Sequence, residues 1–355
     1  MSEYKIAVIP GDGIGIEVIV EAKKIMDHIE KTNSHIKFTY IDLPWGSEFY
    51  RQTGQMMPSD GLEQIKHCDS ILFGAVGDPN IPDHITLQGL LLPMRRQFDQ
   101  GICIRPSYLY PGVPSPLKDK NAGDIDLVIF RENTEGEYSP IGGHLYPNTE
   151  FETVIQTNVF TRRSTERIIR AAFEYCLTRN KKLKVTSVTK SNAQGFSMVF
   201  WDDVFKEVAA EFPSITTDSL LVDAACMDLV RWPENFDVIV ASNLFADIMS
   251  DIAAVVTGSM GLAPSANINS ERMFPSMFEP VHGAGFDITG KGIANPIATF
   301  FAVSMMMEHL GEKEVASQLN SAIINNLTSR EIMTPDLGGS SSTSQVGDDI
   351  ISLMK

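Results

Sequence analysis

The chain has 355 residues, enough for about two domains. Apolar residues make up 43% and charged residues 21%, an ordinary balance for a globular protein and too apolar for disorder. With 29 basic against 45 acidic side chains the formal charge is −16, which speaks against non-specific binding to nucleic acid or to an anionic membrane.

No apolar run approaches the ~20 residues that span a bilayer, and MSEYKIAVIPGDG reads as a strand entering a turn rather than as a leader. Cys68, Cys103, Cys176 and Cys226 are far apart and make no CxxC pair. Neither a disulfide framework nor a structural zinc is expected, and reduced thiols in a cytoplasm are.

In chain order, Lys5–Ile9 reads as an apolar strand and Gly11–Gly15 as a turn. Ile16–Ile29 follows as an amphipathic helix, with Ile19, Ala22, Met26 and Ile29 at helical spacing. Ile36–Ile41 and Ser70–Val76 are further strands, so the first hundred residues have βαβ grammar and predict a largely parallel sheet. Asp126–Phe130, Leu183–Thr189 and Asp237–Ala241 read as buried strands, Thr161–Leu177 and Asn243–Thr257 as helices. Thr134–Phe160 is Gly-rich and strand-prone, either an arm that pairs with a partner chain or a surface hairpin. Met260–Asn295 is expected to be mainly loop, Pro296–Leu310 helix, and Gly338–Ser344 a loop before a last short helix.

GDGIG opens a helix after a strand, yet it is no dinucleotide fingerprint. GxGxxG needs a glycine where Ile16 stands, and Asp42 lies about thirty positions on rather than about twenty. In NLFADIMSD, Asp247 and Asp251 stand at i and i+4 on one helix face. Such a pair suits Mg²⁺ or Mn²⁺, or else simply lies near a helix N-terminus favoured by the dipole. Arg95, Arg105 and Arg131 lie on separate segments; gathered together they would grip a di- or tricarboxylic acid, and apart they are surface arginines. Lys190 and Tyr138 are candidate proton-transfer groups or ordinary loop residues. In EPVHGAGFDITGKGIANP, His282 would contact an adenine and Asp287 a ribose hydroxyl, which favours NAD over NADP. The plainer reading of that stretch is a long irregular connection.

In sequence, these segments resemble the β-decarboxylating dehydrogenases of 2-hydroxy acids, a family that includes isocitrate, 3-isopropylmalate and tartrate/D-malate dehydrogenases. The resemblance runs from GDGIG to TPDLGG and rests on NLFADIMSD, GSMGLAPSANI and HGAGFDITGKGIANP. It implies an α/β fold of two domains, 1–100 with 261–355 and 101–260, sharing a continuous mixed sheet with a non-Rossmann NAD site. It also implies a homodimer with interlocking arms and shared active sites, Lys190 and Asp223 reaching the other subunit. By the same resemblance Arg95, Arg105 and Arg131 hold the substrate carboxylate beside Leu91 and Leu92, and Lys190 and Tyr138 are catalytic. Asp223, Asp247 and Asp251 bind Mg²⁺ or Mn²⁺. Ile14, Glu279, His282, Gly283, Asp287 and Asn295 bind NAD, and K⁺ stands as an optional addition.

Within that family, Leu91, Leu92 and Pro93 replace the Ser and Asn of isocitrate enzymes, and Gln88 replaces the usual Glu of isopropylmalate enzymes. GLLLPMRRQFDQ, LYPGVPSPL and RENTEGEYSPIGG resemble the tartrate/D-malate branch most. The implied reaction is NAD-dependent oxidative decarboxylation of D-malate to pyruvate and CO₂, with tartrate as a further substrate. Isopropylmalate oxidation and a silent regulatory subunit are the alternatives. HGAGFD departs from the usual HGSAPD at Ala284, Gly285 and Phe286, while Asp287 is kept.

Overall fold

The computed structural model describes residues 2–354. Its strands are β1 (Ser2–Gly11), β2 (Ile36–Asp42), β3 (Ser70–Ala75), β4 (Ile102–Tyr108), β5 (Asp126–Glu132), β6 (Gly142–Leu145), β7 (Thr153–Gln156), β8 (Lys184–Thr189), β9 (Thr216–Leu221), β10 (Val238–Ala241), β11 (Pro264–Ile268) and β12 (Ser276–Pro280). Ten of them form one sheet in the order β2-β1-β3-β12-β11-β4-β5-β10-β8-β9. The expected parallel pairing holds for β1, β2 and β3. The centre differs: β11 runs antiparallel to both β12 and β4, and β4 runs antiparallel to β5.

The sheet is covered on both faces, and β1 shows why. Ile6 and Val8 point into one apolar cluster while Ala7 and Ile9 point into another. Side chains alternate between the faces of a strand, so the unbroken apolar run Ile6–Ile9 is buried on both sides. The helix Ile14–Thr32 packs Val18, Ala22, Ile25, Met26 and Ile29 inward. Of these, Val18, Ile25, Met26 and Ile29 each contribute about 1.5–3 kcal/mol when fully buried.

That helix begins at Ile14, two residues earlier than Ile16, because Gly13 lets the chain turn at φ 57°. A Cβ on Gly13 would lie 1.9 Å from the Ala284 carbonyl oxygen, so only glycine fits. The turn thereby touches the 282–287 loop, with Ile14 N donating to Ala284 O at 2.8 Å.

Met260–Asn295 is mainly loop by length, as expected, but two strands that were not foreseen interrupt it. It holds β11 and β12, two strands at the centre of the sheet. PSANI and SMFEP lack strand-forming alternation, and their polar side chains are buried because each finds a partner. Asn267 Nδ2 donates to Glu279 Oε1 at 2.8 Å, and Asn133 Nδ2 donates to Asn267 Oδ1 at 2.9 Å. Tertiary hydrogen bonding overrides the local pattern here.

His309, late in the helix Ile297–Leu310, packs its ring 5.5 Å from that of Phe278. Burial first, then Arg272, lowers its pKa from 6.5 to about 4. Between those values the unfolded chain binds the extra proton, so the neutral ring stabilises the fold above about 6.5 and that stability is lost as the pH falls towards about 4. A His309→Gln variant is expected to show a flatter urea midpoint across this window. A wild-type slope in the variant would assign the acid sensitivity elsewhere.

Candidate active site

A cavity of about 170 Å³ opens at the C-terminal ends of β3, β5 and β12, beside the middle of β4. It is lined by Leu87, Leu91, Leu92 and Arg95 together with Arg105, Arg131, Tyr138 and Asp247. Glu279, His282 and Gly283 complete the lining. Three arginines from the helix Leu92–Gln97, β4 and β5 thus meet in one place, although 36 residues separate the first from the last.

All three are buried, at 4%, 6% and 2% exposure, so each needs an anion or a built acceptor. Arg95 Nη2 donates to Glu279 Oε1 at 2.7 Å. Arg105 Nη1 donates to Asp247 Oδ1 at 3.1 Å and to Ser250 Oγ at 2.6 Å. Arg131 also pairs with Asp247 Oδ1, and its Nε and Nη2 grip Asn243 Oδ1 at 3.0 and 2.7 Å. Tyr138 donates its hydroxyl to Asp247 Oδ2 at 2.9 Å and sets its ring 5.3 Å from the Arg131 guanidinium.

The helix Asn243–Val256 organises much of this. Asn243, Asp247, Ser250 and Asp251 fall at i, i+4, i+7 and i+8, on one face. Asn243 and Ser250 went unnoticed in the sequence, and that spacing was the signal available for them. Ser242 makes no cap of its own; instead Glu137 accepts from Ser242 Oγ at 2.8 Å and from Leu244 N at 3.2 Å. An acidic group at a helix N-terminus also suits the dipole.

The two carboxylates of this helix are pushed in opposite directions. Burial raises the Asp247 carboxyl, but Arg131 and Arg105, with the Tyr138 hydroxyl, outweigh it and hold it at about 2. Burial, then Asp247 itself, raises Asp251. Among the described residues Asp251 has no hydrogen-bond or ion-pair partner, so its oxygens are available to a hard cation that would relieve the repulsion. Burial first, then Asp247, raises the Tyr138 phenol above its ordinary value, so it keeps its proton at neutral pH.

Not every expected site residue joins the cavity. Lys190 and Asp223 pair with each other at 2.5 Å, beyond β8 and β9 at the far end of the sheet. Among the described residues no three His, Cys, Asp or Glu side chains gather as a metal cluster. On the cofactor side, Asp287 is exposed, while Asn295 is buried and donates to Asp336 Oδ2 at 3.0 Å. His282 Nδ1 faces Gly283 O at 3.0 Å, and its Nε2 is buried with no partner. An orphaned ring nitrogen at the cavity wall fits a site completed by a ligand.

The sequence pattern of isocitrate/isopropylmalate dehydrogenases matches residues 5–350. The chain belongs to that family. A protein of Agrobacterium vitis named "probable tartrate dehydrogenase/decarboxylase" is 50% identical over 99% of this chain and 97% of its own length. D-malate dehydrogenase [decarboxylating] of Escherichia coli (strain K12) is 48% identical over 100% of this chain and 99% of its own. Among solved structures, isocitrate dehydrogenase from Methylococcus capsulatus superposes with a TM-score of 0.89 at 32% identity, covering 99% of each chain. The expected α/β fold, with its large mixed sheet, is therefore the fold of the isocitrate/isopropylmalate dehydrogenases. GDGIG, which is no dinucleotide fingerprint, here braces the 282–287 loop through Gly13 and Ile14. No helix among the described residues is long and apolar enough to cross a membrane.

Proposed function

We propose that the protein oxidatively decarboxylates D-malate to pyruvate and CO₂, using NAD⁺ and Mg²⁺ or Mn²⁺, with tartrate as a second substrate. The observation that carries this reading is the buried arginine trio facing Asp247 and Tyr138 in a small cavity. The relatives' names, D-malate and tartrate dehydrogenases, select the substrate within the family. Leu87, Leu91 and Leu92 on the cavity wall favour a second reading, in which that wall shelters the alkyl group of isopropylmalate.

In this structure Asp247 supplies the anion that Arg105 and Arg131 require. A substrate carboxylate would take its place on those guanidiniums, with Arg95 alongside, and be fixed for departure. Asp247 and Asp251 would then hold the divalent ion, with Asp223 of a second copy as the third carboxylate. His282, Gly283, Glu279, Ile14, Asp287 and Asn295 would hold NAD⁺. When bound, the metal supplies Lewis acidity at the substrate oxygens and NAD⁺ accepts the hydride. Lys190, also from a second copy, takes the proton of the substrate hydroxyl. Tyr138, protonated at neutral pH, returns a proton to carbon once CO₂ has left.

A homodimer of two-domain subunits supports this division of labour. The proposed domains, 1–100 with 261–355 and 101–260, meet where β11 lies beside β4, next to the cavity. The β6–β7 hairpin is exposed throughout and presents Leu145, Phe151, Val154 and Ile155 to solvent. An isolated two-stranded hairpin with apolar faces is marginal in water, so a second copy's hairpin is its natural cover. The balance of charge and the reduced cysteines suit a cytoplasmic setting.

The reading is tested by its products. With D-malate, NAD⁺ and Mn²⁺, pyruvate is expected to accumulate mole for mole with NADH. NADH with no pyruvate would mean oxidation without decarboxylation, and the proposal would fall.

A further inference from the structure

Arg95 and Arg96 are consecutive on the helix Leu92–Gln97, where successive residues point about 100° apart. Arg95 turns into the cavity and pairs with Glu279. Arg96 turns elsewhere: its Nη2 donates to the main-chain carbonyl of Tyr138 at 2.6 Å, and its Nη1 to Gln88 Oε1 at 3.3 Å. Among the described residues no carboxylate stands within ion-pair distance of Arg96. Its charge is spent on a carbonyl and an amide, both held by charge-assisted bonds.

Tyr138 is braced from two sides. Below, its neighbour Glu137 is pinned to the start of the helix Asn243–Val256. On the other side, Arg96 joins its main chain to the segment that carries Gln88, Leu91 and Leu92. A single guanidinium therefore spans the wall expected to read the substrate and the main chain of the expected proton donor.

We propose that Arg96 is a positioning residue: it couples the substrate-recognition segment to Tyr138 and sets where the phenol stands. This rests on the reading of Tyr138 as the proton donor. Arg96 does not line the cavity, so it acts through Tyr138 rather than on the substrate.

The experiment is a kinetic cycle with D-malate, NAD⁺ and Mn²⁺ on the full-length protein, using Arg96→Met, Arg96→Lys, Tyr138→Phe and Arg96→Met/Tyr138→Phe. Misplacing a reacting group by about 1 Å costs up to about 100-fold, so Arg96→Met is expected to lower kcat by about 10- to 100-fold. KM for D-malate should stay within about 2-fold, since no substrate contact is lost. Arg96→Lys, which keeps a charged donor, should recover part of the rate. The double variant should be no slower than Tyr138→Phe alone, because the two losses share one route. Wild-type kcat in Arg96→Met, with or without a lower melting temperature, would reduce the contact to a structural one and overturn the proposal. So would a loss that adds in full to that of Tyr138→Phe, or a loss confined to KM. If Tyr138→Phe alone turns over normally, the proton-donor reading fails first and the role of Arg96 falls with it.

Discussion

A Lys190→Ala variant is expected to keep its fold and lose about 10²- to 10⁴-fold in kcat, the usual worth of a positioned general base. The fold should survive because, among the described residues, the Lys190 side chain pairs only with Asp223, whose side chain is 62% exposed. Surface ion pairs contribute little to stability. The sharper expectation concerns where the lysine acts. Within one chain, Lys190 lies on the far side of β10 from the arginine cavity. If a second copy supplies it, co-expressing Lys190→Ala with Asp247→Asn should restore turnover. Each mixed dimer then holds one site with both residues intact. If Lys190 served its own chain's cavity, every site in the mixture would be broken and no activity would return. Recovery is thus decisive for shared sites, and its absence for the opposite arrangement.

Asp247→Asn is expected to be at least as damaging, for two separable reasons. As the carboxylate proposed to hold the divalent ion, its loss should remove several kcal/mol of electrostatic stabilisation, or about 10³-fold in turnover. It also leaves Arg131 and Arg105 buried without their shared anion. Removing one member of a buried pair costs about 3–5 kcal/mol. Here the side chain of Asp247 is 33% exposed, so solvent screening brings the expected loss of stability to less than about 3 kcal/mol. Measuring kcat and Mn²⁺ affinity together with urea unfolding separates the two effects. Near-normal turnover in a folded variant would remove Asp247 from the site.

How much of this was legible beforehand depended on whether a signal was local. Asp247 and Asp251 were readable because helical spacing places them on one face, and Asn243 and Ser250 lay on the same face for the same reason. Arg95, Arg105 and Arg131 could not be joined from spacing, since they meet only after β4 and β5 take their places beside the Leu92–Gln97 helix. β11 and β12 were hidden because Asn267 and Glu279 are polar residues stabilised by partners remote in sequence. The resemblance to known dehydrogenases supplied what periodicity could not, including Glu279 and Gly283. Arg96 carried no signal at all: beside Arg95 it reads as one more basic residue, and only the Tyr138 carbonyl at 2.6 Å sets it apart.

The central claim is the identity of the acid. It is tested most directly by comparing initial rates of NADH formation with D-malate, tartrate, isopropylmalate and isocitrate at equal concentration, with Mn²⁺ present. The account predicts the fastest turnover with D-malate, a slower rate with tartrate, and little with the two bulkier acids. Fastest turnover of isopropylmalate would contradict it and would turn Leu87, Leu91 and Leu92 into an alkyl pocket.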